Sequence, residues 1–350
     1  MRTVPSSSST QREAFYARLA PHDMAPLWEV LKSLVPAEPS AAARPHVWHY
    51  AYVRPLLLES GALLSAEEAE RRVLVLQNPA YPGQTKATAS LYAGIQLVMP
   101  GETAPAHRHT PSALRFVLEG EGGFTAVDGE RTTMRPGDFI TTPAWAWHDH
   151  GNDGDGPVAW LDGLDIPTLQ FYESIFMQPG DELRQAVTRP EGDSQARFGE
   201  GLLPLDAQRR FGLTSPVFNY PYERTREALV RCAQGSAPDP HHAVTLRYVN
   251  PLDGGWAMPT MATWMTHIPA EFFTAPVRST DSMVIAVAEG TCEIQAGEYI
   301  YTLSANDVLT IPGWTWRRFR ARGDCNLFVF SDRVIHEKLG FFREQLGPLD

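Results

Sequence analysis

The chain has 350 residues, 43% apolar and 20% charged, enough to bury a large core. This excludes a disordered or fibrous protein and sets a prior of two domains, at about 150 residues each. A formal net charge of −11 excludes a general binder of nucleic acid or of a membrane surface, since both need a basic face.

Gly (27) and Pro (29) are numerous, and Pro exceeds its usual share of about one residue in twenty. Many turns between short elements are therefore predicted, which favours β architecture. The first residues, MRTVPSSSSTQRE, have no apolar centre and predict no secretory signal. No run of about 18 apolar residues occurs, so no membrane-spanning helix is expected. Three widely spaced cysteines, Cys232, Cys292 and Cys325, point to a reduced, cytoplasmic protein.

Residues 11–35 repeat apolar side chains at three- and four-residue steps, which predicts helix with breaks near Pro21 and Pro36. An Ala/Pro/Ser connector follows to Pro45. Ser65 with Glu68 three residues on is a capping box that opens a short helix to Arg72. From Ala89 to Ile166 the pattern turns to short runs such as LYAGIQLVM, ALRFVLEG and DFITTPAW, separated by Gly, Pro, Asp and Asn. That is the pattern of a sandwich or barrel. A helix is expected near Arg224–Ala233, a second strand-rich region over Leu246–Phe330, and an amphipathic helix over Asp332–Gln345. The expected divisions are a helical segment and connector (1–88), a first barrel (89–167), a linker region (168–245), a second barrel (246–331) and a C-terminal helix (332–350).

The two strand-rich regions align with each other. Glu119-Gly120 matches Glu289-Gly290 at an offset of 170, and Asp138, Pro143, Trp145 and Trp147 match Asp307, Pro312, Trp314 and Trp316 at an offset of 169. So long a period means a duplicated domain.

The first copy carries a metal-ligating pattern. His107 and His109 are two residues apart, so on a strand both imidazoles project from one face. His148 follows the Pro143-Ala144-Trp145 turn, and a returning strand brings it beside the pair. Three neutral imidazoles suit divalent iron, nickel, copper or zinc better than magnesium or calcium. Arg115, on the next strand, is placed to pair with a carboxylate, the alternative being a surface arginine. Tyr92 and Gln96 lie four residues apart on LYAGIQL and so share a face. The positions equivalent to His107, His109 and His148 in the second copy are Val277, Ser279 and Arg317, so one metal site is expected per chain.

The spacing Gly101-x5-His107-x-His109-x3-Ala113-x6-Gly120, then Gly137-x5-Pro143-x-Trp145-x2-His148-x3-Asn152, resembles the two cupin motifs. It departs from them at Ala113, where many cupins have a ligating Glu, and at Trp145, where they have Gly. The wider text, PAHRHTPSALRFVLEGEG with PAWAWHDHGN and AWLDGLDIP, resembles the gentisate 1,2-dioxygenase branch of the bicupins, with 1-hydroxy-2-naphthoate and salicylate dioxygenases as relatives. The resemblance covers about residues 45–335.

This resemblance implies an all-β-dominated bicupin: two jelly-roll barrels with N- and C-terminal helices. It implies one Fe(II) per chain and O2-dependent cleavage of gentisate to maleylpyruvate. It places Gln96 in the substrate site, gives His150 and Asp162 roles in substrate binding or proton handling, and sets Arg71 and Arg72 near the pocket entrance. The residues themselves leave Asp162 open as a turn aspartate and the arginine pair open as a helix-end feature. Tyr92 is placed to donate to a ring 5-hydroxyl, with a core tyrosine as the alternative. Three facial histidines leave room on an octahedral metal for a bidentate 2-hydroxybenzoate and O2. A homotetramer is implied as well. Zinc hydrolase chemistry and a non-catalytic bicupin that binds a small acid are the competing readings.

Overall fold

The computed structural model describes residues 9–349. It divides into a unit ending at Ser40 and a second unit from Ala41 onward. In the first unit, helices Ser9–Leu19 and Leu27–Leu34 are separated by a short turn at Ala20–His22, where Pro21 interrupts the periodicity. The Trp28 indole N–H donates to the Tyr16 hydroxyl at 2.8 Å, and Phe15 stacks on Trp28.

The second unit holds two barrels of eight antiparallel strands. The first comprises β1 (Tyr92–Val98), β2 (Thr103–His109), β3 (Ala113–Glu119), β4 (Gly123–Val127), β5 (Glu130–Thr133), β6 (Phe139–Thr142), β7 (His148–Asn152) and β8 (Val158–Leu164). The second comprises β9 (Ala262–Ile268), β10 (Val277–Ser279), β11 (Met283–Glu289), β12 (Thr291–Ala296), β13 (Tyr299–Ser304), β14 (Val308–Ile311), β15 (Arg317–Ala321) and β16 (Cys325–Ser331). Each barrel is two facing sheets. Their orders are β6-β3-β8-β1 with β2-β7-β4-β5, and β14-β11-β16-β9 with β10-β15-β12-β13. This is the jelly-roll arrangement in duplicate.

The duplication reaches beyond the barrels, and it is reciprocal. His46–Trp48 precedes the first barrel in sequence but pairs with β14 of the second. Asn219–Tyr220 precedes the second barrel but pairs with β6 of the first. A helix follows each: Tyr50–Leu63 and Tyr222–Gly235. Then come matching edge strands, Val73–Val75 on β1 and Val244–Arg247 on β9. Stretch 168–245, expected as a linker region holding one helix, also supplies edge strands: Met177–Pro179 on β2 and Asn219–Tyr220 on β6 of the first barrel, and the start of Val244–Arg247 on β9 of the second. The helix Tyr50–Leu63 escapes the periodicity reading because Pro55 and Gly61 interrupt it. The C-terminal helix is shorter than expected. It covers Arg333–Leu339, ends at Gly340 in the left-handed region, and gives way to an edge strand, Glu344–Leu346, on β10.

Sheet alternation sets what lies where. On β3, Leu114, Phe116 and Leu118 point outward into a core shared with Val284, Ala286, Phe328 and Phe330 of the second barrel. Phe116 and Phe328 stack at 4.4 Å between centroids. Arg115 and Val117 point the other way, into the barrel. Two polar contacts at the interface between barrels occur in both repeats. The Tyr50 N–H donates to Asp307 (2.7 Å) and the Tyr222 N–H to Asp138 (2.9 Å). Arg54 pairs with Glu119 and Arg226 with Glu289, both at 2.8 Å. The repeated Glu-Gly step has a backbone reason. Gly120 and Gly290 have φ of +95° and +88°, and a Cβ there would meet the carbonyl oxygens of Pro157 and Asp324 at 2.4 and 2.3 Å.

Candidate metal centre

β2 and β7 are paired with His107 opposite His148, and β2 is bulged between Ala104 and His107. His109 lies two residues on, on the same face. The three rings sit with centroids 4.1–5.2 Å apart, and each offers a ligand atom within 4.8 Å of the others. The Nδ1 atoms all face backbone carbonyls: Pro105 (3.0 Å), Pro111 (2.8 Å) and Ala146 (2.9 Å). These carbonyls hold the proton on Nδ1 and leave Nε2 bare and directed inward. The Nε2 of His148 is buried without a hydrogen-bond partner. A buried acceptor of this kind is costly unless something binds it, and a divalent cation fits.

Electrostatics favour neutral ligands. Burial lowers the pKa of His107 to about 3 and that of His109 to about 4, and sets His148 well below its ordinary value. The nearby Arg71 and Arg115 guanidiniums push the same way for His107 and His109. Neutral imidazole is the form that binds a transition metal.

Arg71 reaches this centre: its Nη2 stands 2.6 Å from His107 Nδ1. A guanidinium only donates, so this contact and the Pro105 bond are alternatives. A cation on Nε2 would keep the Nδ1 proton for Pro105 and leave the Arg71 donors available to an anion. Arg72 goes elsewhere, into a buried pair with Glu102 (2.8 Å) and a bond to the Leu64 carbonyl. It braces the wall rather than the centre.

Arg115 is 3% exposed, which ends the surface-arginine alternative. Its Nη1 donates to Thr142 Oγ1 at 2.7 Å, Nη2 lies 3.3 Å from His150 Nδ1, and Nε stands 3.8 Å from Asp162. Gln96 Nε2 lies 2.7 Å from His150 Nε2. A neutral imidazole cannot accept at both nitrogens. With Arg115 donating to Nδ1, Nε2 carries the proton, and Gln96 presents its amide oxygen to it. Asp162 accepts from the Trp160 indole at 3.0 Å, and burial raises its pKa to about 6 against the pull of Arg115. It is a strand residue, not a turn aspartate.

Tyr92, Gly94 and Gln96 share one face of β1. A Cβ at Gly94 would meet Val73 at 2.6 Å and the Tyr92 hydroxyl at 2.8 Å, so the glycine lets that hydroxyl lie over the strand. Burial and the Asp162 charge raise the Tyr92 pKa. Thr142 and Gly94 escape the sequence reading. Neither has a distinctive motif, and only the Arg115 and Tyr92 contacts reveal them.

Trp145, where cupins have Gly, has φ of +62°, and Trp314 of the second barrel has +60°. The turn demands the left-handed region, and Trp takes it with support. The Trp145 N–H donates to the His109 carbonyl at 2.8 Å, and Arg108 lies over Trp145 and Trp147 at 4.5 and 4.8 Å.

The cupin domain model matches residues 94–164, the span of the first barrel from β1 to β8. Gentisate 1,2 dioxygenase 1 of Aquipseudomonas alcaligenes is 48% identical over 342 residues, covering 98% of both chains. The 5-aminosalicylate 1,2-dioxygenase of a Comamonas species is 33% identical, covering 98% of this chain and 92% of its own. The crystal structure of salicylate 1,2-dioxygenase from Pseudoaminobacter salicylatoxidans, in adducts with gentisate, is similar with a TM-score of 0.90 at 35% identity, covering 98% of this chain and 95% of that one.

Proposed function

The chain belongs to the gentisate 1,2-dioxygenase family of bicupins, and from that membership we propose that its ring-cleaving dioxygenase activity acts on gentisate, with Fe(II) held by His107, His109 and His148. Gentisate and O2 give maleylpyruvate. The bond between the carboxyl-bearing and hydroxyl-bearing ring carbons breaks, and both oxygen atoms enter the product. When bound, iron supplies the electronic path between O2 and an electron-rich ring.

The protein's own groups position the substrate. Arg115 and Arg71 hold its carboxylate, Arg115 from a fixed, buried position. His150, its two ring nitrogens held by Arg115 and Gln96, lines the substrate's polar edge. Asp162, ionised above about pH 6, takes up a hydroxyl proton. Tyr92 reaches the ring 5-hydroxyl. The observation that carries this reading is the unpartnered His148 Nε2 at the meeting point of three neutral imidazoles, beside a buried arginine.

Oxygen uptake by Fe(II)-reconstituted protein with gentisate, alongside 1-hydroxy-2-naphthoate and salicylate, is the test. Uptake with gentisate and a stoichiometric maleylpyruvate product are expected. No uptake with any of the three sinks the reading. Among the described residues no helix is long and apolar enough to cross a membrane. We further propose a cytoplasmic homotetramer. Leu27, Trp28, Leu31 and Leu34 are exposed on one short helix, the kind of surface that a second copy covers. Light scattering that reports a monomer would remove that part.

A further inference from the structure

The second barrel kept a cavity where the first has its metal centre. It has a volume of about 320 Å³ and lies among β9, β10, β11, β15 and β16. Its walls are the register equivalents of the first barrel's site. Val277 stands for His107, Arg317 for His148, Phe319 for His150 and Thr266 for Gln96. The space remained while the chemistry of its lining changed.

The new lining has one consistent character. Arg317 is 7% exposed and occupies the position of a metal ligand. Its Nη2 donates to Ser279 Oγ at 3.0 Å, which uses one of five donors. Arg247 and Arg333 also line the cavity, against a single lining carboxylate, Glu337. Glu337 is already engaged, by Arg333 Nε and by the Trp256 indole, both at 2.7 Å. Glu344 lies 3.6 Å from His242 and 3.9 Å from Arg333. Burial lowers the pKa of Arg317, the nearby Asp281 and Glu344 charges act against that, and Asp281 accepts from Ser331. The remaining wall mixes the apolar side chains of Trp256, Trp264, Phe319 and Leu327 with His241, His242, Thr245 and Thr266. A fixed guanidinium beside two tryptophans and a phenylalanine suits a carboxylate carried on an aromatic body.

We propose that the C-terminal barrel is a second, metal-free binding site for a small aromatic carboxylate, with Arg317 as the fixed cation in place of a metal. The inference rests on this barrel's own residues and does not depend on the substrate of the first.

Benzoate is the probe, measured by equilibrium dialysis on the metal-loaded full chain at concentrations up to the millimolar range. Arg317→Met is expected to lose one equivalent of bound benzoate per chain relative to the unsubstituted protein, with O2 uptake on gentisate changed by less than about twofold. The His107→Ala chain, which lacks the metal centre, should still bind one equivalent and quench the Trp256 and Trp264 fluorescence. Should Arg317→Met fail to fold, Val277→Phe decides, since it fills the cavity and leaves the cation in place; it should lose the same equivalent. Absence of benzoate binding to the His107→Ala chain, or equal binding by the unsubstituted protein and a folded cavity variant, overturns the proposal.

Discussion

Where β7 of the first barrel presents His148, β15 of the second presents Arg317, and where β2 presents His107 and His109, β10 presents Val277 and Ser279. The change runs through the whole interior. Gln96, Arg115, His150 and Asp162 correspond by register to Thr266, Ile285, Phe319 and Val329. Outside that interior the barrels agree closely. Both keep the Glu-Gly turn, the aspartate that caps the other repeat's helix, and the arginine laid over two tryptophans: Arg108 in one, Arg278 in the other. The shared features hold the fold, and the differing ones carry the chemistry. A jelly roll therefore needs none of the polar interior of the first barrel in order to form.

Substitutions at equivalent positions should expose this asymmetry most strongly at the ligands. His107→Ala is expected to lose its transition metal, measured as metal per chain, and more than about 100-fold in turnover, while Val277→Ala loses neither. Equal loss in both would break the one-centre picture. Next comes the buried cation. Arg115→Met should lower kcat/KM by about 10- to 100-fold, as expected for a charged hydrogen bond, with Ile285→Met near unchanged in steady-state assays.

The pH dependence is smaller and sharper in sign. Asp162 is ionised above about pH 6, so kcat/KM should fall as pH drops through that value, and Asp162→Asn should erase the acid limb. Because burial raises this carboxyl's pKa from 3.8, its neutral form favours the fold. That contribution is complete below about pH 4 and is lost as pH rises towards 6. Asp162→Asn should accordingly gain stability relative to the parent at pH 7 but not at pH 4, measured by urea denaturation.

The smallest effects should be equal in the two barrels. Arg54→Ala and Arg226→Ala each remove an exposed pair at the interface, at a cost below about 1 kcal/mol. A large difference between them would show that the interface is less symmetric than its bonds.

Much of this was legible in the residues. Short apolar runs between turn residues marked both strand-rich regions, and the histidine spacing pointed to the centre, because strand pairing turns i, i+2 and a returning strand into three converging side chains. Other features needed three dimensions. Thr142 is an ordinary strand residue until Arg115 reaches it. Arg71 and Arg72 are adjacent and chemically identical, yet one meets His107 and the other Glu102, a choice made by the wall each faces. The exchanged strands His46–Trp48 and Asn219–Tyr220 are only three and two residues long and pair across great sequence distance, beyond any local pattern.

That exchange bears on how the chain is made. His46 pairs with Thr310, whereas Asn219 pairs back to Ile140. The first barrel can complete its sheet once residue 220 has emerged from the ribosome. The second barrel's outermost strand, by contrast, is synthesised near the beginning and waits for almost the whole remaining chain. The two barrels should then melt in a single calorimetric transition, since neither can open without releasing a strand of the other. A proteolytic cut at exposed Leu202 should leave two fragments that remain associated, each still clasping a piece of its neighbour.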